Sequence, residues 1–520
     1  MEYGAITASL IAALSQRSYV CIHGHWYQPP RENPFTGVVG NQPSAAPFDN
    51  WNERITAECY EPNTHAEILG DDGSVLRVVN NYEYVSSDWG PTLLAWLEDH
   101  RPQTYEAILD ADRASIDRFD GHGTAVAHTY NHTILPLSTR RDKRTQILWG
   151  KADYVHRFGR EPEGMWLPET AVDLESLELM AESGIQYTIL SPYQAASVLE
   201  DGEWIDVVGG SFDTTIPYEV QLFGGRRISV FFYNGPLSQE IAFNGLLEDG
   251  TLLAKRLVQA LGEPDDRPRL SHVATDGETY GHHHRHGEMA LAKAIEQLEN
   301  DPDVELTTYG RFLAEHPPTR IARVMEGTSW SCAHGVDRWR GDCGCSTGEH
   351  PDWNQAWRTH LRDALDYVRD ELVDNFESRG ATVLRDPWDA RDHYIEVILG
   401  GSIDSFLDDH CRPGVTAEQR QLAIDLLEIQ HRAMLMYTSC GWFFDDIAGL
   451  EVVFVLRQAG RVIALTRRVL DQDLEPGFLK ILDNAISNID RRSGRDVYGD
   501  SVMPHMPAAD EAGSTGPAHN

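Results

Sequence analysis

Strand-like and helix-like runs alternate over about the first 315 of this chain's 520 residues, and no other feature limits its fold as strongly. Short apolar runs that suit strands lie at Tyr19–His25, Leu76–Asn81, Thr124–His128, Gly164–Leu167, Tyr187–Leu190, Ile228–Tyr233 and Leu270–Thr275. Amphipathic helical stretches separate several of them, at Thr92–His100, Leu174–Ser183, Leu252–Leu261 and Glu288–Leu298. Strands divided by helical patterns predict parallel βα units, hence an α/β fold. Some seven units predict a barrel whose site lies at the carboxyl ends of its strands. An open doubly wound sheet is the alternative.

Residues at those strand ends favour the barrel. His23-Gly-His25-Trp26-Tyr27-Gln28-Pro29 closes the first run, Tyr130, Asn131 and His132 follow the third, and Trp166, Pro168 and Glu169 follow the fourth. The seventh opens HVATDGETYGHHHRHGE, residues 272–288, where Asp276 and Glu278 precede His282, His283, His284 and His286. Carboxylates and histidines make poor core and a good polar rim. A shared site accounts for polar and aromatic residues gathering after several strands, whereas packing alone does not require it. Residues 31–70 form a long polar segment for which a substrate lid and a structural excursion on the rim are equal expectations.

Lys and Arg number 44 against 81 Asp and Glu, a formal charge of −37, and only five lysines occur. Such a surface repels phosphate backbones and anionic membranes, so neither a nucleic-acid nor a membrane partner is expected. A neutral polyhydroxylated substrate is indifferent to it. The acidic excess suits a salt-rich cytoplasm, where screening relieves self-repulsion. Seven scattered cysteines do not form a disulfide framework, no apolar run is long enough to span a membrane, and residues 1–20 lack a basic leader, so a cytoplasmic location is expected. The pattern changes near Pro317. Trp357, Leu361, Ala364, Leu365, Val368, Leu372 and Phe376 then mark one apolar helical stripe, and Ala417–Tyr437 and Leu450–Leu470 read as further helices. The expected division is a barrel over 1–317, a helical domain over 318–492 and a disordered tail over 493–520.

Glu169 and Asp276, each after a strand, supply the two carboxyl groups that glycosidic-bond chemistry uses. The residues here resemble glycoside hydrolase family 57. The segment from His23 to Pro29 is similar to that family's His-x-His-Gln-Pro, with Trp26 and Tyr27 added before the Gln. NHTILPL at 131–137, GMWLPE at 164–169 and TDGETYGHH at 275–283 resemble further family segments, in the family's order. The resemblance implies an incomplete (β/α)7 barrel, action on α-glucans with retention, Glu169 as nucleophile and Asp276 as acid/base. It also implies a substrate subsite shaped by His23, His25, His132, His282 and Glu278, to which Trp26, Gln28 and Trp166 add contacts. The expected partner is an α-glucan or maltooligosaccharide, and no cofactor is required for catalysis. Hydrolysis, branching and transfer stay open, as does the oligomeric state. The C-terminal half resembles a domain of unknown function found on a subgroup of the family.

Two further segments stand out. Cys332, His334, Cys343 and Cys345 offer four soft ligands for a structural zinc. Thiols beside a substrate-facing loop are the other reading. In YTSCGWFFDDIAGLE, 437–451, Trp442 and an Asp either complete the sugar site, or Asp445 simply caps the next helix. His23, His25 and His282–His286 also permit a metal-dependent carbohydrate hydrolase, deacetylase- or mannosidase-like, with Asp276 among the ligands. A catalytically silent glucan-binding protein is the remaining alternative.

Overall fold

The computed structural model describes residues 18–263 and 266–506. Residues 1–17, whose sequence reads as a small amphipathic helix feeding the first strand, and the last part of the expected tail lie outside them. The chain divides into two compact units. The first takes in residues 18–28, 41–128 and 157–326 of those described.

Its frame is seven strands: β1 (Ser18–Trp26), β2 (Ser86–Trp89), β3 (Ala125–His128), β4 (Met165–Trp166), β5 (Tyr187–Leu190), β6 (Arg227–Phe232) and β7 (Arg269–Asp276). All neighbours in the order β7-β1-β2-β3-β4 pair in parallel. A parallel bridge between Gly164 and Tyr187 carries the curl to β5, which pairs in parallel with β6. Among the described residues no ladder joins β6 to β7, although just past β6 the Asn234 amide donates to the His272 carbonyl at 2.8 Å. The result is the expected incomplete (β/α)7 barrel. β1 is buried almost end to end because it has neighbours on both edges and cover on both faces, which is why it shows no polar alternation.

Six of the seven expected strands are barrel strands. The exception is the second, Leu76–Asn81. Val75–Val79 pairs instead with Ala66–Leu69 in a hairpin off the barrel, leaving Val75, Leu76 and Val78 exposed. The true second strand, Ser86–Trp89, has polar side chains at three of its four positions and therefore carries no hydrophobic signal. The boundary also moves. Arg320–Val324 is a strand of this unit, paired in parallel with Tyr218–Gln221 and antiparallel with Ala195–Glu200.

The second unit takes in residues 29–40, 129–156 and 327–506 of those described, so it is not the contiguous stretch that the change at Pro317 predicts. Its long helices are Trp357–Val383, Ala417–Leu435 and Leu450–Leu470. The expected stripe from Trp357 to Phe376 is buried throughout. Tyr130 and Trp149 pack into one core with Phe376, Leu384, Tyr394, Phe406 and Leu427. Part of the expected disordered tail is helical: Gly494–Ser501 starts from a capping box in which Ser493 and Asp496 satisfy each other's backbone amides. Val497 and Tyr498 on its inner face are buried. Among the described residues no helix is long and apolar enough to cross a membrane.

Candidate active site

The carboxyl ends of adjacent strands carry Asp276 on β7, His25 on β1 and Asp88 on β2, and the parallel register sets each beside the next. Asp88 is wholly buried, where an ionised carboxylate needs donors. His23 Nε2 donates to Oδ1 at 3.0 Å and His25 Nδ1 to Oδ2 at 2.8 Å, while His128 Nε2 lies 3.9 Å from Oδ2. Burial pushes the Asp88 carboxyl up, but the imidazoles, His25 foremost, outweigh it and bring the group down to about 2.

The two histidines on β1 end up in different states. Burial opposes a charge on His25, yet Asp88, then Asp276 and Glu278, lift it to about 9, so it is an imidazolium at neutral pH. For His23 burial prevails and lowers the pKa. With Nε2 donating to Asp88, neutral His23 has Nδ1 free to accept from the Ser86 hydroxyl at 3.1 Å. Trp166 stacks on both rings, 4.9 Å from His23 and 5.3 Å from His25. His23 thus has both ring nitrogens engaged within the protein.

Asp276 ends β7 with its side chain exposed, as an acid that meets a substrate must be. Protein around it still limits hydration. That loss raises its carboxyl, His25 pulls the other way, and Asp88 adds to the rise. Glu278 is nearly buried two residues on. Burial, then the charge of Asp276, raises it to about 7, against a hydrogen bond from Tyr60 that holds it down.

Tyr60 comes from the segment expected as lid or excursion. There Asn50 caps a helix at Trp51–Ile55, which widens into a π-helical turn at Thr56–Tyr60. Such turns are rare and re-aim side chains. Here Tyr60 Oη donates to Glu278 Oε1 at 2.5 Å, Asn63 Nδ2 donates to the Tyr280 carbonyl at 2.7 Å, and His282 Nδ1 lies 2.5 Å from Glu58 Oε2. Gly281 is needed under this clamp, because a Cβ there would meet the Glu58 carbonyl oxygen at 2.6 Å. Replacing Tyr60 with Phe removes a bond that favours ionised Glu278. Glu278 should then titrate higher still, and a pH–rate limb that belongs to it should move to higher pH. An unmoved profile, with the fold intact by circular dichroism, would detach that limb from Glu278.

Glu169 stands after β4 on a strained turn. Both it and Thr170 have left-handed backbones, φ 57° and 50°, which neither residue type favours. The turn is held by Thr170 N donating to the Leu167 carbonyl at 2.8 Å, Ala171 N to that of Pro168 at 2.9 Å, and Gln194 Nε2 to that of Thr170 at 2.7 Å. Strain that its surroundings enforce so fully is typical of functional positions.

Other expected contacts fall elsewhere. Trp26 has no exposed surface. It stacks on Trp89 at 5.3 Å and lies against Gly277, where a Cβ would meet its ring at 2.2 Å. It is a floor beneath the Asp276 turn rather than a wall facing a sugar. Gln28 is half-buried, and its carbonyl accepts from Thr92 Oγ1 at 3.4 Å. His132 belongs to the second unit, where Nδ1 lies 2.6 Å from Ser439 Oγ. Trp442 is fully buried within that unit: its indole N–H donates to the Arg358 carbonyl at 3.2 Å and the Arg362 guanidinium lies 4.3 Å over its ring. Packing thus replaces its expected role over the barrel mouth. Asp445 caps no helix but accepts from Thr347 N at 2.9 Å and Thr347 Oγ1 at 2.5 Å. The histidines of 282–286 diverge, with His284 Nε2 2.7 Å from the Ala242 carbonyl oxygen and His286 exposed. The residue that sequence reasoning missed is Asp88. Its signal was Ser86-Ser87-Asp88-Trp89-Gly90-Pro91, polar and aromatic residues before a helix that opens with Pro.

Comparison with known proteins finds a family match in each half of the chain. The model of glycosyl hydrolase family 57 matches residues 58–325, and a domain of unknown function (DUF3536) matches 353–515. The 4-alpha-glucanotransferase of Thermococcus litoralis is 25% identical over 257 residues, 46% of this chain and 35% of that protein. An alpha-amylase of Pyrococcus horikoshii is 25% identical over 315 residues, 58% of this chain and 44% of that one. The chain thus spans less than half the length of these relatives. Among solved structures, an exo-type maltose-forming amylase from Pyrococcus sp. ST04 superposes with a TM-score of 0.65 at 16% identity, covering 89% of this chain and 82% of that one. A branching enzyme of P. horikoshii does so with a TM-score of 0.54 at 14% identity, covering 96% and 98%. These two support the fold. The family model spans more than half of the sequence and takes in both candidate carboxylates, and on that match the chain belongs to glycosyl hydrolase family 57.

Proposed function

We propose that this protein is a retaining enzyme acting on α-glucans, with Glu169 as nucleophile and Asp276 as general acid and base. The observation that carries the reading is a pair of carboxyl groups following two strands of one barrel, in unlike settings. Glu169 is fixed on an enforced left-handed turn, and Asp276 is solvent-facing with its proton affinity raised. Unlike environments are how two carboxyls divide acid and nucleophile roles. The names of the relatives, an amylase and a glucanotransferase among them, support the substrate class.

In the first step the Glu169 carboxylate attacks the anomeric carbon while Asp276 gives its proton to the departing glycosidic oxygen. In the second, Asp276 takes a proton from the incoming hydroxyl and that oxygen displaces Glu169 from the sugar. Water as acceptor makes the enzyme a hydrolase, and a sugar hydroxyl makes it a transferase or branching enzyme. The imidazolium of His25, beside Asp276 in the sheet, supports the carboxylate that forms when the proton leaves.

The test is incubation with maltooligosaccharides and with glycogen, following reducing ends and chain lengths. New reducing ends, or redistribution of chain length without them, are expected. Brief exposure to a chelator that leaves the circular dichroism unchanged should leave the rate unchanged. Activity lost to the chelator and restored by metal would replace this reading with a metal-dependent hydrolase. Absence of turnover on every α-glucan would remove the substrate class.

A further inference from the structure

Residues 327–355 have almost no regular structure: the single turn Asp337–Trp339 is their one helical element among the described residues. A stretch of this kind cannot hold its shape by secondary structure, and a local cross-link is a common remedy. Cys332, His334, Cys343 and Cys345 all lie in this stretch and in one compact unit, and their ligand atoms all fall within 4.8 Å of one another.

The spacing of those atoms is informative. Cys332 Sγ is 3.9 Å from Cys343 Sγ and 3.8 Å from Cys345 Sγ, and Cys345 Sγ is 3.5 Å from His334 Nδ1. Four ligands arranged tetrahedrally about one zinc, with Zn–S of ~2.3 Å and Zn–N of ~2.0–2.1 Å, have edges of about 3.8 Å between sulfurs and about 3.6 Å between sulfur and nitrogen. The measured edges match a single ion. An iron–sulfur cluster spreads its thiolates over separate irons and needs wider spacing. A disulfide joins two sulfurs and gives no reason for a third thiol and an imidazole to converge.

Local backbone supports the same geometry. Gly344, between two of the cysteines, has φ +82°, which allows both neighbouring sulfurs to turn to one centre. Gly335, just after His334, also has φ +82°, and a Cβ there would meet the Gly327 carbonyl oxygen at 2.3 Å. The surroundings then fix the loop to the helices. Arg358 Nη1 donates to the Cys345 carbonyl at 2.8 Å, Arg338 Nη2 donates to that of Phe443 at 2.8 Å, and Thr347 is bound by buried Asp445.

We propose that Cys332, His334, Cys343 and Cys345 form a closed structural zinc site that folds the 327–355 loop against the helical unit. With all four positions filled by protein, it holds shape rather than performs chemistry.

The experiment uses the full chain, produced in zinc-supplemented medium and purified without a metal-affinity step or chelator. Elemental analysis should find about one zinc per chain. In Cys343→Ser and Cys345→Ser the zinc should fall to trace levels. Cobalt exchanged into the wild type should give the strong thiolate charge-transfer bands and the tetrahedral ligand-field bands of a centre with three sulfur ligands and one nitrogen. The wild-type metal content and the cobalt spectrum decide the question even if the variants fail to fold. Less than about one zinc in ten chains, stoichiometric iron instead, or a mapped disulfide among these cysteines would overturn the proposal.

Discussion

Glu169→Gln should lower turnover of maltooligosaccharides by roughly 10⁴-fold or more while leaving KM little changed, because the amide keeps the shape of the side chain and loses the nucleophile. In Glu169→Ala, which opens the space the carboxylate occupied, a small anion such as azide should restore part of the rate, since it can attack from that face. Its product should be the glycosyl azide of inverted configuration. Asp276→Asn should behave differently. Loss of general acid catalysis costs roughly 10²–10⁴-fold when the leaving group is a sugar. A glycosyl fluoride leaves without a proton, so for that substrate the first step should be nearly normal and the covalent intermediate should accumulate. Mass spectrometry would then find a glycosyl adduct on Glu169. Equal losses in both variants on both substrates, with no adduct, would take the two-step mechanism away from this pair. In a ligand-bound crystal structure the two carboxyls should lie ~5–5.5 Å apart, and a gap of ~6.5 Å or more would mean inversion.

Much of the barrel was legible because parallel strands buried on both faces are nearly continuous apolar runs, and helices with one apolar stripe separate them. The site was legible where motifs end such runs, as at His23–Trp26 and Val273–Glu278. The rest was hidden for different reasons. β2 is Ser-Ser-Asp-Trp, and its place is set by hydrogen bonds and by Asp88 rather than by apolar burial, so periodicity found the neighbouring hairpin instead. Trp442 shows the opposite failure. An indole beside Gly and two aspartates looks like a sugar platform in sequence, but Arg358 and Arg362 engage it in the interior. The tail failed for a third reason: Ser493 and Asp496 cap a short helix whose one apolar face is too small to show as a pattern. Burial and partners are properties of the folded chain, and local composition does not report them.

Asp88 makes the other large prediction. It is the shared anion of a wholly buried cluster, and Asp88→Asn keeps its volume while removing its charge. His25 then sits in the same place without its main counter-ion, left with the weaker pull of Asp276 and Glu278. In the wild type its pKa rises from 6.5 to about 9 on folding, which corresponds to stability on the order of 3 kcal/mol. A raised histidine contributes fully below its unfolded value, and the contribution fades as pH rises through about 9. The same pairing seen from Asp88, a carboxyl lowered to about 2, contributes above its unfolded value near 3.8 and fades as pH falls through about 2. The two descriptions concern one interaction and are not added. The variant should therefore be most destabilised between about pH 4 and 6.5, and should approach the wild type above about pH 9. Thermal unfolding at pH 5.5 and 9.5 reads this directly, with the larger drop in midpoint expected at the lower pH. The same drop at both values would mean that Asp88 serves only as a hydrogen-bond acceptor and that His25 is neutral. Activity follows the same logic. If the imidazolium supports the ionised form of Asp276, the variant should lose rate even where it is fully folded, and Asp88→Glu should not restore it, because the longer side chain cannot reach His23 and His25 together from the same register on β2.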